Sequence, residues 1–119
     1  MINIEMRHLK LIINNNESKK IDIFFNKLEL NLILNLYATM VSSGEWKDYS
    51  LTISKKEVSF DVYHRASDFP IYKITKNLFP KNENEKYLIK DVKNIVINKS
   101  DSLKKLINKI IWKKFKLVN

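Results

Sequence analysis

The chain contains a single glycine, Gly44, and that one residue limits both its folds and its chemistry. Phosphate-binding loops of the Walker and dinucleotide types need several glycines, so both are excluded. The strained turn that exposes a nucleophilic serine in Gly-x-Ser-x-Gly motifs is excluded for the same reason. Gly44 follows a run of apolar residues at helical spacing, where a left-handed residue ends many helices. The run comprises Leu30, Ile33, Leu34, Tyr37, Met40 and Val41.

The beginning of this helix is also marked in the sequence. Asn26 is a suitable N-cap, and Glu29 three residues later completes a capping box with Asn in place of Ser or Thr. The pattern therefore predicts a helix over residues 27–43. A second helix is predicted after an N-cap at Ser100 or Asp101, with an apolar face formed by Leu103, Leu106, Ile107, Ile110 and Ile111.

Apolar and polar residues alternate between the two helices, which predicts strands. Residues 49–53 and 58–62 form a hairpin with one solvent-exposed face, and a third strand contains Tyr72 and Ile74. Residues 77–85 are predicted to form a long loop. Further strands are predicted at Ile4–Ile13, Ile21–Phe25, Lys86–Lys90 and Asn94–Asn98. The predicted fold is α+β, with two layers: a mostly antiparallel sheet and two helices packed on one face, in a single domain over residues 1–119.

The composition limits the expected cellular location of the protein and the kinds of site that it can contain. Of the 119 residues, 45% are hydrophobic, which is enough for one buried core. No apolar run reaches the roughly 18 residues that a membrane span requires, and the first residues do not resemble a signal peptide. The absence of cysteine excludes disulfides and thiolate metal sites, and the two histidines, His8 and His64, have no ligand spacing. We expect a cytoplasmic location and neither a metal nor a cofactor.

The net charge of +9 is concentrated in the second half of the chain. Residues 1–50 are electrically neutral, whereas residues 102–119 contain six lysines and no acid. A lysine-rich surface favours non-specific, salt-sensitive contacts with nucleic-acid phosphates. The simpler alternative is a solvated helix face, and an anionic membrane surface or an acidic protein are further possible partners. The candidate binding lysines are Lys73, Lys76, Lys104, Lys105, Lys109 and Lys113.

Two short segments combine aromatic and charged residues and are candidates for a protein-interaction surface. The first contains Trp46, Lys47, Asp48 and Tyr49, and the second runs from Arg65 to Tyr72. This interaction hypothesis predicts that Trp46 is exposed, whereas the simpler alternative is that Trp46 closes one end of the core.

His64 precedes the second segment and shares strand parity with Val58, Phe60 and Val62. A hydrogen-bonded histidine at the edge of the core is therefore the favoured interpretation. An enzyme would need a pocket that joins His64, Arg65 or Asp68 to Glu45, Asp48 or Tyr49. His64, Ser67 and Asp68 have the residue types of a catalytic triad, but adjacency in a turn does not aim their side chains at one another. We expect a non-enzymatic binding module.

The block LNLILNLYATMVSSGEWKDY at residues 30–49, followed by HRASDFPIYKI at residues 64–74, resembles an alphaproteobacterial family known as domain of unknown function 2794. The resemblance extends from about Phe24 to the last helix. Ala38 stands where the family pattern has Gly, Ser42 and Ser43 where it has Ala, and Lys47 where it has Arg. Residues 98–100 also lack the glycine of the turn before the last helix. The resemblance implies a bacterial cytoplasmic protein and brings no activity, cofactor or catalytic residue.

Overall fold

The computed structural model describes residues 2–5, 24–65 and 69–109. Their sheet has six strands in sequential order, and every neighbouring pair is antiparallel. The elements are β1 (Ile2–Glu5), α1 (Lys27–Ser42), β2 (Asp48–Ile53), β3 (Glu57–Tyr63), β4 (Tyr72–Asn77), a 3₁₀ turn (Glu83–Glu85), β5 (Tyr87–Asp91), β6 (Val96–Ser100) and a helix, α2, described over residues 103–109. The predicted α+β class is confirmed.

Both ends of α1 are closed by the residues that the sequence singles out. Asn26 Oδ1 accepts the Glu29 N–H at 2.8 Å, and Glu29 Oε1 accepts the Asn26 N–H at 2.7 Å, which completes the capping box. At the other end Gly44 adopts φ 79°, and its N–H donates to the Val41 carbonyl at 3.0 Å. The Glu45 N–H reaches the Met40 carbonyl at 2.9 Å, so the helix ends in a Schellman motif.

One buried cluster joins the helices to the sheet. Alternate strand residues enter it, for example Leu51, Phe60, Ile74 and Ile89, which are all fully buried. From the helices come Ile33, Leu36 and Met40 of α1 and Leu103, Leu106 and Ile107 of α2. Because both helices contribute to the same cluster, they pack on one face of the sheet, as predicted.

Three local predictions need correction. The strand predicted at Ile21–Phe25 is absent from its described part, because Phe24 is helical and Phe25 lies at a bend, fully buried in the core. Ser102 rather than Ser100 or Asp101 caps α2, since its Oγ accepts the Lys105 N–H at 3.4 Å. Within the predicted loop at 77–85, residues 83–85 form a 3₁₀ turn. Residues 6–13 and 21–23 of the first two predicted strands lie outside the described residues.

The sheet face opposite the helices is polar and was predicted to be solvent-exposed, but its centre is buried. Ser59 and Asp61 are 6% and 4% exposed. Asp61 accepts hydrogen bonds from Ser59 Oγ at 2.7 Å and from Thr52 Oγ1 at 2.8 Å, so these polar groups satisfy one another. Because Ser59, Thr52 and Asp61 satisfy one another, their polar character did not require exposure to solvent, although the buried Thr75 Oγ1 on the same face has no hydrogen-bond partner among the described residues.

Long charged side chains lie across this polar face. Lys90 of β5 pairs with Glu57 of β3 at 3.2 Å. In the strand register Lys90 is level with Lys73 and Glu57 is level with Asn77, so the ion pair crosses β4 above Thr75. Thr75 is accordingly only 1% exposed.

At its far edge the sheet contains an irregularity. Ile89 pairs with Asn98 and Lys90 pairs with Val96, which leaves Ile97 as an extra residue on β6. This two-against-one pairing is a β-bulge, and it bends the edge strand.

On the helix face, Glu29 connects α1 to two strands. It is 5% exposed, and besides its cap contact it accepts the Lys76 Nζ of β4 at 2.8 Å and the hydroxyl of Tyr87 of β5. Burial alone raises the pKa of Glu29, but the hydrogen bonds from Lys76, Tyr87 and Asn26 outweigh it, so the net pKa is below the ordinary 4.5. Glu29 is therefore ionised at neutral pH and holds the helix on the sheet.

We predict that Glu29→Ala lowers the free energy of unfolding by about 3 kcal/mol, because it leaves Lys76 and Tyr87 without their acceptor. Urea denaturation at pH 7 measures this change. The double variant Glu29→Ala/Lys76→Met should recover part of the loss, since no unpaired charge then remains. Glu83→Ala, at an exposed site, should change stability by less than about 0.5 kcal/mol. Equal losses in E29A and E83A would contradict the role of Glu29.

Candidate functional site

The recognisable sequence segments meet at one end of the sheet, called here the Gly44 end and comprising residues 43–48, 63–65, 69–72 and 91–96. The antiparallel order brings the start of β2, the end of β3 and the start of β4 together there. The Lys47 N–H donates to the Tyr63 carbonyl at 2.9 Å, and the Ile71 N–H donates to the Val62 carbonyl at 2.8 Å. Register pairing of Tyr72 with Asp91 adds the β5–β6 turn.

Trp46 and Tyr49 belong to the core rather than to the surface. They are 1% and 8% exposed, so the exposed Trp46 that the interaction hypothesis predicted is not observed. The Tyr49 ring stacks on Phe60 at 4.6 Å and meets the edge of Tyr37 at 4.6 Å. Burial raises the pKa of Tyr49, and the nearby Tyr37 and Asp48 raise it further. Tyr49 therefore stays protonated.

The side chains of Asp48 and His64 form hydrogen bonds with the backbone of this end. Asp48 is 7% exposed, and its Oδ1 accepts the Tyr49 N–H at 2.9 Å. His64 is exposed rather than part of the core edge, and its Nδ1 lies 3.1 Å from the Glu45 carbonyl oxygen. The histidine is hydrogen-bonded, as expected, and it ties the residues after α1 to the end of β3.

Most exposed side chains of the Gly44 end are basic or apolar; the others are Ser43, His64 and Asn94. Lys47, Arg65 and Lys93 are exposed, and Phe69 is 80% exposed. In the β5–β6 turn Val92 and Ile95 are each 56% exposed, and Val96 is 44% exposed. Among the described residues of this end, no exposed side chain is acidic. The neighbouring residues Ala66, Ser67 and Asp68 lie outside the described residues.

The candidate lysines do not form one surface. Lys76 faces α1 and pairs with Glu29, whereas Lys73 and Lys90 lie opposite each other on the polar face. Lys73 and Tyr72 are half-buried. On α2, Lys104, Lys105 and Lys109 are exposed, and Lys105 Nζ lies 3.9 Å from Asp101. Lys113 lies outside the described residues. Among the described residues, the exposed candidate cations therefore lie in two regions: Lys47 and Arg65 at the Gly44 end, and Lys104, Lys105 and Lys109 on the outer face of α2.

Asp61, like Glu29, is a buried carboxylate with a shifted pKa. Burial raises its pKa above the ordinary 3.8, and Glu57 adds to the rise, although Ser59, Thr52 and Lys73 oppose it. Both carboxylate oxygens accept hydroxyl groups, which fixes the side chain within the sheet face. Around it and elsewhere in residues 2–5, 24–65 and 69–109, no cluster of three or more His, Asp or Glu is arranged to hold a metal ion.

A family model described as "Protein of unknown function (DUF2794)" matches residues 23–107. The chain belongs to this family. The match includes α1, all of the Gly44 end and the first turns of α2. Searches of curated proteins and of solved structures found no match. No described helix is long and apolar enough to cross a bilayer.

Sequence reasoning selected Lys47 and the segment from Arg65 to Tyr72, which includes Phe69, but it missed the β5–β6 turn. Val92, Lys93 and Ile95 were not among the candidate binding residues. The available signal was their position, since turns are normally polar and an apolar side chain in a tight turn has little core to enter.

We predict opposite pH dependence for the two buried carboxylates. The folded pKa of Asp61 is above its unfolded value, so its ionisation costs stability as pH rises through that interval. The lowered pKa of Glu29 gives a contribution that is present above its unfolded value and lost as pH falls. The free energy of unfolding of Asp61→Asn, relative to that of wild type, should therefore be higher at pH 7 than at pH 4. For Glu29→Gln the same difference should be lower at pH 7 than at pH 4.

Urea denaturation of both variants at the two pH values measures these differences. Asp101→Asn, at a half-exposed side chain, is the control and should differ little from wild type at either pH. A larger relative loss for D61N at pH 7 than at pH 4 would contradict the assignment.

Proposed function

We propose that the chain is a non-enzymatic binding module that docks an anionic partner on the Gly44 end. The observation that carries the proposal is the composition of that surface. Lys47, Arg65 and Lys93 are exposed at the same end as several apolar side chains, whereas the described acids there, Glu45, Asp48 and Asp91, are half-buried or buried. Such a predominantly basic surface attracts partners of opposite charge and orients them before contact.

The way the surface is built supports the same proposal. Its segments lie far apart in the chain, yet backbone hydrogen bonds fix Lys47 to the end of β3 and Ile71 beside it. The buried Trp46 and Tyr49 below them provide a rigid base. A docking surface on rigid supports loses less entropy on binding than one formed by free loops.

Non-specific nucleic-acid binding through α2 is a second candidate function. The helix packs by Leu103, Leu106 and Ile107 and leaves Lys104, Lys105 and Lys109 exposed. Lysines in this arrangement suit phosphate contacts, and they lack the side chains that read base edges. Lys73 lies on the opposite face of the sheet and Lys76 is paired with Glu29, which reduces the number of phosphates that one surface can contact.

Two charge-reversal variants with the same change in net charge separate the two candidates. The first is Lys47→Glu/Arg65→Glu/Lys93→Glu, and the second is Lys104→Glu/Lys105→Glu/Lys109→Glu. All six side chains are exposed, so both variants should keep the circular dichroism spectrum of the wild type.

We predict that the first variant elutes from immobilised heparin, used as a polyanion probe, at markedly lower salt than the second. Fluorescence anisotropy with duplex and single-stranded DNA and RNA, at low and high salt, tests the second candidate directly. If the α2 variant shows the larger loss on heparin, or both losses are equal, the Gly44 end is not the docking surface. Loss of nucleic-acid binding in the α2 variant alone would favour the second candidate.

A further inference from the structure

The geometry points to an anionic phospholipid surface as the partner of the Gly44 end. This inference rests on the proposed function and specifies the partner. It is carried by the apolar side chains of that end, which a purely electrostatic partner would not need. Phe69 is 80% exposed, and Val92 and Ile95 are each 56% exposed.

These apolar side chains are placed as membrane-contacting groups are. Phe69 precedes β4, whereas Val92 and Ile95 lie in the turn after β5, and pairing of Tyr72 with Asp91 brings both segments to the same end. The turn is held by Asp91 Oδ1, which accepts the N–H groups of Lys93 at 2.9 Å and Ile95 at 3.0 Å. Apolar groups on a rigid turn enter the headgroup region with little loss of conformational entropy.

The charges complete the match with a lipid surface. Lys47, Arg65 and Lys93 are exposed at the same end and carry the charge that anionic headgroups attract. Two weak signals, shallow apolar insertion and basic side chains, act together in stable peripheral membrane binding.

Other anionic partners fit the exposed groups less well. Nucleic acid uses basic side chains and aromatic stacking, and Phe69 suits stacking, but the aliphatic Val92, Ile95 and Val96 serve neither contact. Protein interfaces are typically anchored by Trp, Tyr and Arg, but Trp46 is already buried in the core, which leaves Phe69 as the exposed Phe, Trp or Tyr among the described residues of this end.

The opposite end of the sheet supplies a matched control. Phe79 and Leu28 are 75% and 76% exposed, about as much as Phe69. The Leu78 N–H donates to the Lys56 carbonyl at 2.8 Å, which places Phe79 beside the β2–β3 turn. This end carries the exposed acid Glu83 as well as the exposed Lys55, Lys56 and Lys81. Replacing Phe79 and Leu28 therefore removes about as much exposed apolar surface as replacing Phe69 and Ile95, but at the opposite end of the sheet.

The test is cosedimentation of the protein with vesicles of phosphatidylcholine containing phosphatidylglycerol, and with vesicles of phosphatidylcholine alone. Wild type should bind the anionic vesicles and bind the neutral ones weakly. The variant Phe69→Ser/Ile95→Ser should lower the partition coefficient by about tenfold or more, because two apolar side chains no longer enter the bilayer. The control Phe79→Ser/Leu28→Ser should bind as wild type does.

Several outcomes would overturn the inference. They are no binding to anionic vesicles at low salt, equal losses in the two apolar variants, or unchanged binding in Phe69→Ser/Ile95→Ser. If the Lys47→Glu/Arg65→Glu/Lys93→Glu variant loses heparin binding while wild type ignores the vesicles, the proposed function stands and the lipid assignment fails. Duplex DNA binding that this variant abolishes, without vesicle binding, would assign the same end to nucleic acid.

Discussion

The packing of α1 on the sheet depends on one buried carboxylate. Glu29 receives the N-cap amide of its own helix, the ammonium group of Lys76 and the hydroxyl of Tyr87. A negative charge at a helix N-terminus also interacts favourably with the helix dipole. Because a buried carboxylate is costly without all its donors, helix and strands must dock in one arrangement. The 16 residues of α1 then carry the chain to the opposite end of the sheet, where Gly44 turns it into β2.

Local patterns in the sequence predicted most of this fold. The capping box, the helix ending before Gly44 and the meander around Phe60 depend on neighbours within a few residues, and each was found. The partners of Glu29 could not be found in this way, since Lys76 and Tyr87 lie 47 and 58 residues further along the chain. The same limit applies to Asp61, whose burial depends on side chains from neighbouring strands.

The candidate surface was predictable in part, for a related reason. Lys47 and Arg65 stand in segments of mixed chemistry, and the antiparallel order explains why those segments meet. The alternation of side chains along a strand already implies that Lys73 and Lys76 face opposite sides of the sheet. The net charge of the second half of the chain therefore exceeds the number of lysines that one surface can present. Burial of Trp46 was the simpler interpretation of the sequence, but the aromatic cluster around Tyr37 that Trp46 joins is not revealed by any spacing in it.

The bulge in β6 has a consequence for self-association. Val96 and Ile97 are exposed on the outermost strand, a combination that elsewhere nucleates edge-to-edge aggregation. The extra residue breaks the regular spacing of amide and carbonyl groups, so another copy finds no continuous ladder to extend. Lys99 on the same strand adds repulsion between identical edges. The fold can thus expose apolar side chains on its edge strand without offering a template for fibril growth.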